Sequence, residues 1–294
     1  MTAVPRPSDH PGGEHEAFAF VQDLAAEISR GKIELPGFPN IALRVRQVLA
    51  DEEVSREKVV RVISSEPVLA AQLLRMAGSA AHNPSGRPVT ELRTAITRVG
   101  LNVVRSATFA FALSQLRNAE ALKGLERPLD EMWRRSAGVA AMSYVLARRH
   151  TRVNPDTALL AGLLHSIGRL YILTRAVRHR ALFADQATYN EIVRDWSGQV
   201  AKAVLENWGL AQEIVTAVSE FQDFERQHQG PVDLVDVLTI GYLLAVYKEH
   251  PESIELNLQN VSACARLPLD SHGYLKLIEE SESEIAELHR ALGV

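Results

Sequence analysis

The residues best placed to do chemistry fall in the stretch LLHSIGRL, residues 163–170. An adjacent His-Asp pair would offer an imidazole and a carboxylate to divalent cations, but here His165 is followed by Ser166. Arg169 stands four residues after His165, so on a helix the two share a face. His165 therefore has three readings: a remnant metal ligand, a general base, or a buried histidine with satisfied nitrogens. Ser166 makes a weak nucleophile, because adjacent helix residues point about 100° apart and no other acid-base partner is signalled. The single cysteine, Cys264, lies in SACARLP and reads as a packed residue. One cysteine leaves no internal disulfide and no thiolate metal cluster.

The elements that must position these residues are helices. Asn154 before Pro155 is a strong helix start. Leu160, Leu163, Leu164, Ile167 and Tyr171 then follow at helical spacing, which predicts one helix carrying an apolar stripe through His165. Upstream, the pattern predicts helices over 14–31 with Gly31 as the stop, 41–51, 56–64 capped by Ser55, and 66–78 capped by Ser65 with Pro67 in the first turn. Helices over 90–100 and 101–116 meet at Gly100. LPGFP (35–39) and HNPSGRP (82–88) are breaks. A long helix over 129–150 contains AGVAA (137–141), small enough for another helix to approach closely. Further helices are predicted over 188–207, 210–223, 231–249 and 271–292. WGL (208–210) reads as a helix end at Gly209, and Trp133, Trp196 and Trp208 as core residues.

Strand-like alternation is scarce, so the fold class is all-α. The expected division is a disordered tail over 1–14, an N-terminal helical subdomain over 15–120 and a second helical subdomain over 128–294 with an acidic C-terminal helix.

Composition removes several functions. A net charge of −4 gives no global case for nucleic-acid binding, and no basic-aromatic interleaving signals a single-strand platform. There is no G-x-x-x-x-G-K-[ST] phosphate loop. The N-terminus lacks the apolar core of a secretory signal, and no uninterrupted apolar run of bilayer length is expected, so the reading is cytoplasmic without membrane insertion. Charge is uneven, however. Residues 134–180 hold nine arginines against one acid, Asp156, whereas 251–294 hold eight acids against three bases. These are solvated faces, faces that meet each other, or an anion-binding or acidic-partner surface.

Four blocks in this order carry a family resemblance: residues 35–80 beginning LPGFPNIALRV, ELRTAITRVGLNVVRSATFAFAL, MWRRSAGVAAMSYVLARR and ALLAGLLHSIGRLYIL. From about residue 33 to about 245 the chain resembles the HDOD domain, a bacterial signalling module related to HD phosphohydrolases. The resemblance implies an N-terminal helical subdomain packed on an HD-like bundle. It also implies where HD metal ligands would fall. Arg135 occupies the first histidine position and His165-Ser166 the His-Asp pair. Ser197, then Phe221 or Gln222, and Tyr242 occupy the later positions. One possible ligand remains, and Arg135 brings a fixed positive charge where a cation would sit. The HD site is therefore read as degenerate, with no catalytic residue, no metal and no cofactor.

If Arg135 faces His165, Ser166 and Arg169, the vacated site becomes a cationic pocket for an anion, a nucleotide second messenger or a carboxylate. The competing reading is a local salt bridge to Asp130, Glu131 or Asp223. The resemblance implies a non-catalytic regulator whose partners are bacterial signalling proteins: a cyclic-di-GMP enzyme, a histidine kinase or a response regulator. The alternatives are a metal-free sensor of an anionic ligand and a residual metal-dependent phosphohydrolase.

Overall fold

The computed structural model describes residues 11–292 other than 32, 34, 36–38, 50, 52–54, 80–82, 84, 85, 87, 117, 118, 249, 259 and 268. Residues 1–10 of the expected tail, and most of LPGFP and HNPSGRP, lie outside the described residues. The described elements are helices joined by turns, without a strand among them. In chain order they are α1 (Pro11–Ser29), α2 (Asn40–Leu49), α3 (Arg56–Ser64), α4 (Pro67–Gly78), α5 (Leu92–Leu116), α6 (Glu126–His150), α7 (Pro155–Leu164) and α8 (Ile167–Ala176). There follow α9 (Arg180–Ala184), α10 (Gln186–Asn207), α11 (Gln212–Glu220), α12 (Leu234–Tyr247), α13 (Pro251–Leu258), α14 (Ser271–Glu280) and α15 (Glu282–Leu292).

Local signals set most of these bounds. Ser55 accepts from the N–H of Lys58 at the start of α3, and Asn154 Oδ1 accepts from the N–H groups of Asp156 and Thr157 at the start of α7. Gly31 and Gly209 stop their helices at φ 63° and 61°. Gly100, at φ 82°, sits as a non-helical residue between the two segments of α5. Ser65 departs from its expected role. Its hydroxyl donates to Val62 O at 2.7 Å and closes α3, while Glu66 takes the cap position of α4 without a side-chain bond.

Two hydrophobic clusters hold the chain. The smaller runs from Ile41 on α2 to Phe111 on α5. The larger takes in α6–α8 and α10–α15, and also Phe20 and Leu24 of α1. Thus α1, placed by sequence with the N-terminal subdomain, buries its apolar side chains in the larger cluster. The final helix reaches back to the smaller one, where Gln72 of α4 donates to Ala291 O at 3.1 Å. The arginine-rich and acidic segments partly neutralise each other: Arg148 and Arg149 of α6 pair with Glu284 at 2.6 and 3.1 Å.

Small residues let three helices meet α6 and α8 at backbone distance. A Cβ added at Gly162 would overlap the backbone of Ala140, within the predicted AGVAA stretch. One at Gly241 would overlap Ser143, and one at Gly168 would overlap the Ser197 carbonyl of α10. These contacts fix α7, α8, α10 and α12 around α6.

Two sequence expectations are corrected here. The stripe through Tyr171 does not lie on one helix, because the chain breaks at His165–Ser166 into α7 and α8. And Pro155–Ala176 is, by length and composition, apolar enough to cross a bilayer, although 83% of that window is buried inside the fold. Its hydrophobicity is that of a helix pair enclosed by α5, α6, α10 and α12.

Candidate functional site

The break at His165–Ser166 opens onto a cavity of about 790 Å³. Its lining includes Arg135 from α6, His165 and Ser166 from the α7–α8 corner, Arg169 from α8, Ser197 from α10, Phe221 and Gln222 after α11, and Tyr242 from α12. Every position to which the family resemblance assigned a metal ligand therefore lines one cavity.

His165 is buried at the inner wall. Its Nδ1–H donates to the Gly162 carbonyl at 2.8 Å, which leaves Nε2 with the lone pair. Its ring meets Phe221 edge-on at 5.6 Å between centroids, and Tyr242 at 5.8 Å. Burial pushes its pKa down to about 4, the bond to Gly162 opposes this, and the nearby positive charges of Arg135 and Arg169 add to it. His165 is neutral at pH 7. Ser166 shares a hydrogen bond of 2.8 Å with Ser136 and does not cap α8 with its side chain.

Arg135 and Arg169 are both exposed to the cavity side of the molecule. Neither forms an ion pair among the described residues. Glu131, one of the acids proposed to neutralise them, instead pairs with Arg127 at 3.1 Å across one helical turn. Arg169 also lies within electrostatic reach of Tyr189, whose hydroxyl pKa is raised mainly by burial and lowered in part by that guanidinium.

These donors do not fit a two-cation centre. His165 has the orientation of a metal-binding imidazole, with its other N–H on a backbone carbonyl. Around it, the assigned positions supply a guanidinium, two hydroxyls of serine, a phenyl ring or amide, and a phenol. The one carboxylate in the lining, Glu131, is already bonded to Arg127. A divalent cation needs anionic or several neutral donors, and two guanidiniums raise the cost of placing it here.

A second cluster was missed by sequence reading. His228, Asp233 and Asp236 bring ligand atoms within 4.8 Å of one another. Asp233 caps α12 and forms a reciprocal capping box with Asp236. His228 Nε2 lies 2.8 Å from Asp236 Oδ2. Arg226 donates to both oxygens of Asp233, at 3.2 and 2.8 Å, and lies 3.8 Å from Asp236. Burial pushes Asp233 up, yet the Arg226 bonds and charge outweigh it and hold that carboxyl below its ordinary value. The guanidinium supplies the positive charge these carboxylates require. The spacing D-x-x-D at a helix start, five residues after a histidine, was the available signal.

An all-helical bundle with its cavity at a histidine-bearing helix corner is the class this architecture defines. The chain belongs to the HDOD domain family, whose model matches residues 35–224. A crystal structure of a candidate metal-dependent phosphohydrolase from Shewanella amazonensis superposes with a TM-score of 0.71 at 24% identity, covering 93% of this chain and 99% of that one. An HDOD domain protein of unknown function from Geobacter sulfurreducens gives 0.62 at 20% identity, covering 96% and 99%. At these identities the likeness is one of fold. A curated relative from Treponema pallidum, an uncharacterized protein, is 22% identical over 210 residues, 66% of this chain. The aligned region spans 39% of that relative's length.

Proposed function

We propose that this chain is a bacterial signalling regulator that works by binding rather than catalysis. In this reading it docks a partner signalling protein in the cytoplasm, such as a cyclic-di-GMP enzyme, a histidine kinase or a response regulator, and alters its activity or location. The observation that carries the reading is the cavity's donor set: one neutral histidine, three guanidiniums, of which Arg194 pairs with Asp195, and a single carboxylate, Glu131, paired with Arg127. The arginine-rich segment 134–180 and the acidic C-terminal helix are the proposed docking surfaces, with Glu284 of the latter already engaged by Arg148 and Arg149.

The test is metal content of the purified protein after growth with added manganese and iron, paired with hydrolysis of bis(p-nitrophenyl) phosphate. Metal far below one per chain and no hydrolysis are expected. Stoichiometric metal, with hydrolysis lost in His165→Ala, would overturn the proposal in favour of a metal-dependent phosphohydrolase.

A second reading is favoured by a specific observation. Arg135 and Arg169 line a concave site without an ion pair among the described residues, beside His165 and Ser166. That arrangement suits a metal-free sensor of an anionic ligand. The two readings are compatible, since a ligand in the cavity can bias a docking surface.

A further inference from the structure

We infer that the cavity at the α7–α8 corner is a nucleotide site, with a phosphate held by Arg135 and Arg169 and a base held against aromatic walls. The inference rests on the anion-sensor reading and names its ligand class.

The charge argument comes first. Three guanidiniums line one cavity: Arg194, which pairs with Asp195 at 3.0 Å, and Arg135 and Arg169, with His165 within electrostatic reach of the latter two. Arg148 and Arg149 pair with Glu284, Arg175 with Glu27 and Arg226 with Asp233, while Arg135 and Arg169, which share one concave site, form no ion pair among the described residues. Planar guanidinium forks fit phosphate oxygens in pairs, so two such side chains lining one cavity suit a phosphate. Ser166 adds to this. As the cap residue of the ten-residue α8 it lines the cavity, yet its hydroxyl bonds Ser136 and leaves the first turn without a side-chain cap.

Size and walls then suit a ligand larger than a bare anion. A cavity of about 790 Å³ has the volume of a small-molecule pocket and far exceeds one phosphate. Two aromatic groups line it. Phe183 and Tyr189 meet edge-on at 6.0 Å on the α9–α10 side, and Phe221 and Tyr242 at 5.2 Å on the α11–α12 side. Arg169 reaches both sides electrostatically, through Tyr189 and through His165 beside Phe221. Flat rings favour a flat guest, and base–aromatic contact tolerates any base. Gln186, Asn190 and Gln222 add side-chain amides that both donate and accept, as base edges require.

The experiment is calorimetric titration of the full chain in EDTA with nucleoside 5′-monophosphates, the corresponding nucleosides, ribose 5-phosphate and inorganic phosphate. At least one monophosphate should bind, with its nucleoside and ribose 5-phosphate each weaker by about tenfold or more, since each lacks one half of the contacts. Arg135→Gln and Arg169→Gln should each weaken the monophosphate by about tenfold or more, as expected for losing a charge-assisted bond. Arg61→Gln, on α3 and outside the cavity, should leave it unchanged. Phe183→Leu keeps an apolar side chain but removes a ring, and should weaken the monophosphate without changing ribose 5-phosphate. Ribose 5-phosphate binding as tightly as the monophosphates, with both lost in the arginine variants, would overturn the nucleotide proposal and leave the anion site standing. No binding by any probe at millimolar concentration would overturn both.

Discussion

Two groups of basic side chains in this chain sit in opposite electrostatic settings. Arg226 and His228 face Asp233 and Asp236 at 2.8 Å, with Glu220 a further 3.3 Å partner of Arg226. Arg135 and Arg169 face a cavity whose lining carries one acid, already paired. The first group binds the end of α11 to the start of α12 and closes a capping box. Its hydrogen-bonding groups are engaged with one another. The second does no comparable structural work. Spacing alone would favour the first as a metal site, since it has a histidine and two aspartates. What separates structure from site is whether the charges already find one another within the fold.

A large effect that would sharpen this contrast lies in the matched cluster. Asp236 is 2% exposed and accepts from the N–H of Asp233 as well as facing His228. Asp236→Ala removes the acceptor of the Asp233 N–H and the partner of His228 Nε2, so unfolding free energy in urea should fall by about 1–3 kcal/mol. A loss below about 0.5 kcal/mol would mean that solvent replaces Asp236 as partner of these donors.

The next effect is a pH dependence set by His165. Its pKa is about 4 in the folded chain against an ordinary 6.5. Between those values the unfolded chain binds the extra proton, so the contribution is present above about pH 6.5 and is lost as pH falls toward 4. The gap corresponds to about 3 kcal/mol. Urea midpoints of wild type and His165→Asn should converge progressively as pH drops through this window. Parallel profiles would show that His165 titrates in the fold as it does in the open chain.

A smaller cost is expected at Gly168, where an added Cβ meets the Ser197 carbonyl of the adjoining helix. Gly168→Ala should destabilise by about 1–3 kcal/mol through forced separation of α8 and α10. Because both helices line the cavity, ligand affinity should fall with it. This glycine also marks what the sequence could not reveal. Caps at Ser55, Asn154, Gly31 and Gly209 were legible because they act within a few residues. The break at His165–Ser166 was not, since the apolar stripe runs on through it. Nor was the break at Ser281, which splits the predicted 271–292 helix into α14 and α15. The cavity lies between. Its residues span positions 128 to 242, so periodicity could not assemble them; the family blocks linked Arg135, His165 and Arg169, and the HD ligand order added Tyr242.

The smallest expected effect is the one on which the contrast turns. Arg135→Ala and Arg169→Ala should each leave stability within about 0.5 kcal/mol of wild type, because both side chains are exposed and neither loses an ion pair among the described residues. The sign carries information. Two guanidiniums near one cavity repel, and that repulsion is screened over a Debye length of about 10 Å at 0.1 M salt. The single variants should therefore be equal to or slightly more stable than wild type at low salt, with the difference closing as salt rises. A loss above about 1 kcal/mol in either variant would show these arginines to be structural, like Arg226, and the cavity would lose its claim on an anion. Unchanged stability together with lost ligand binding would show charge kept at a cost to the fold.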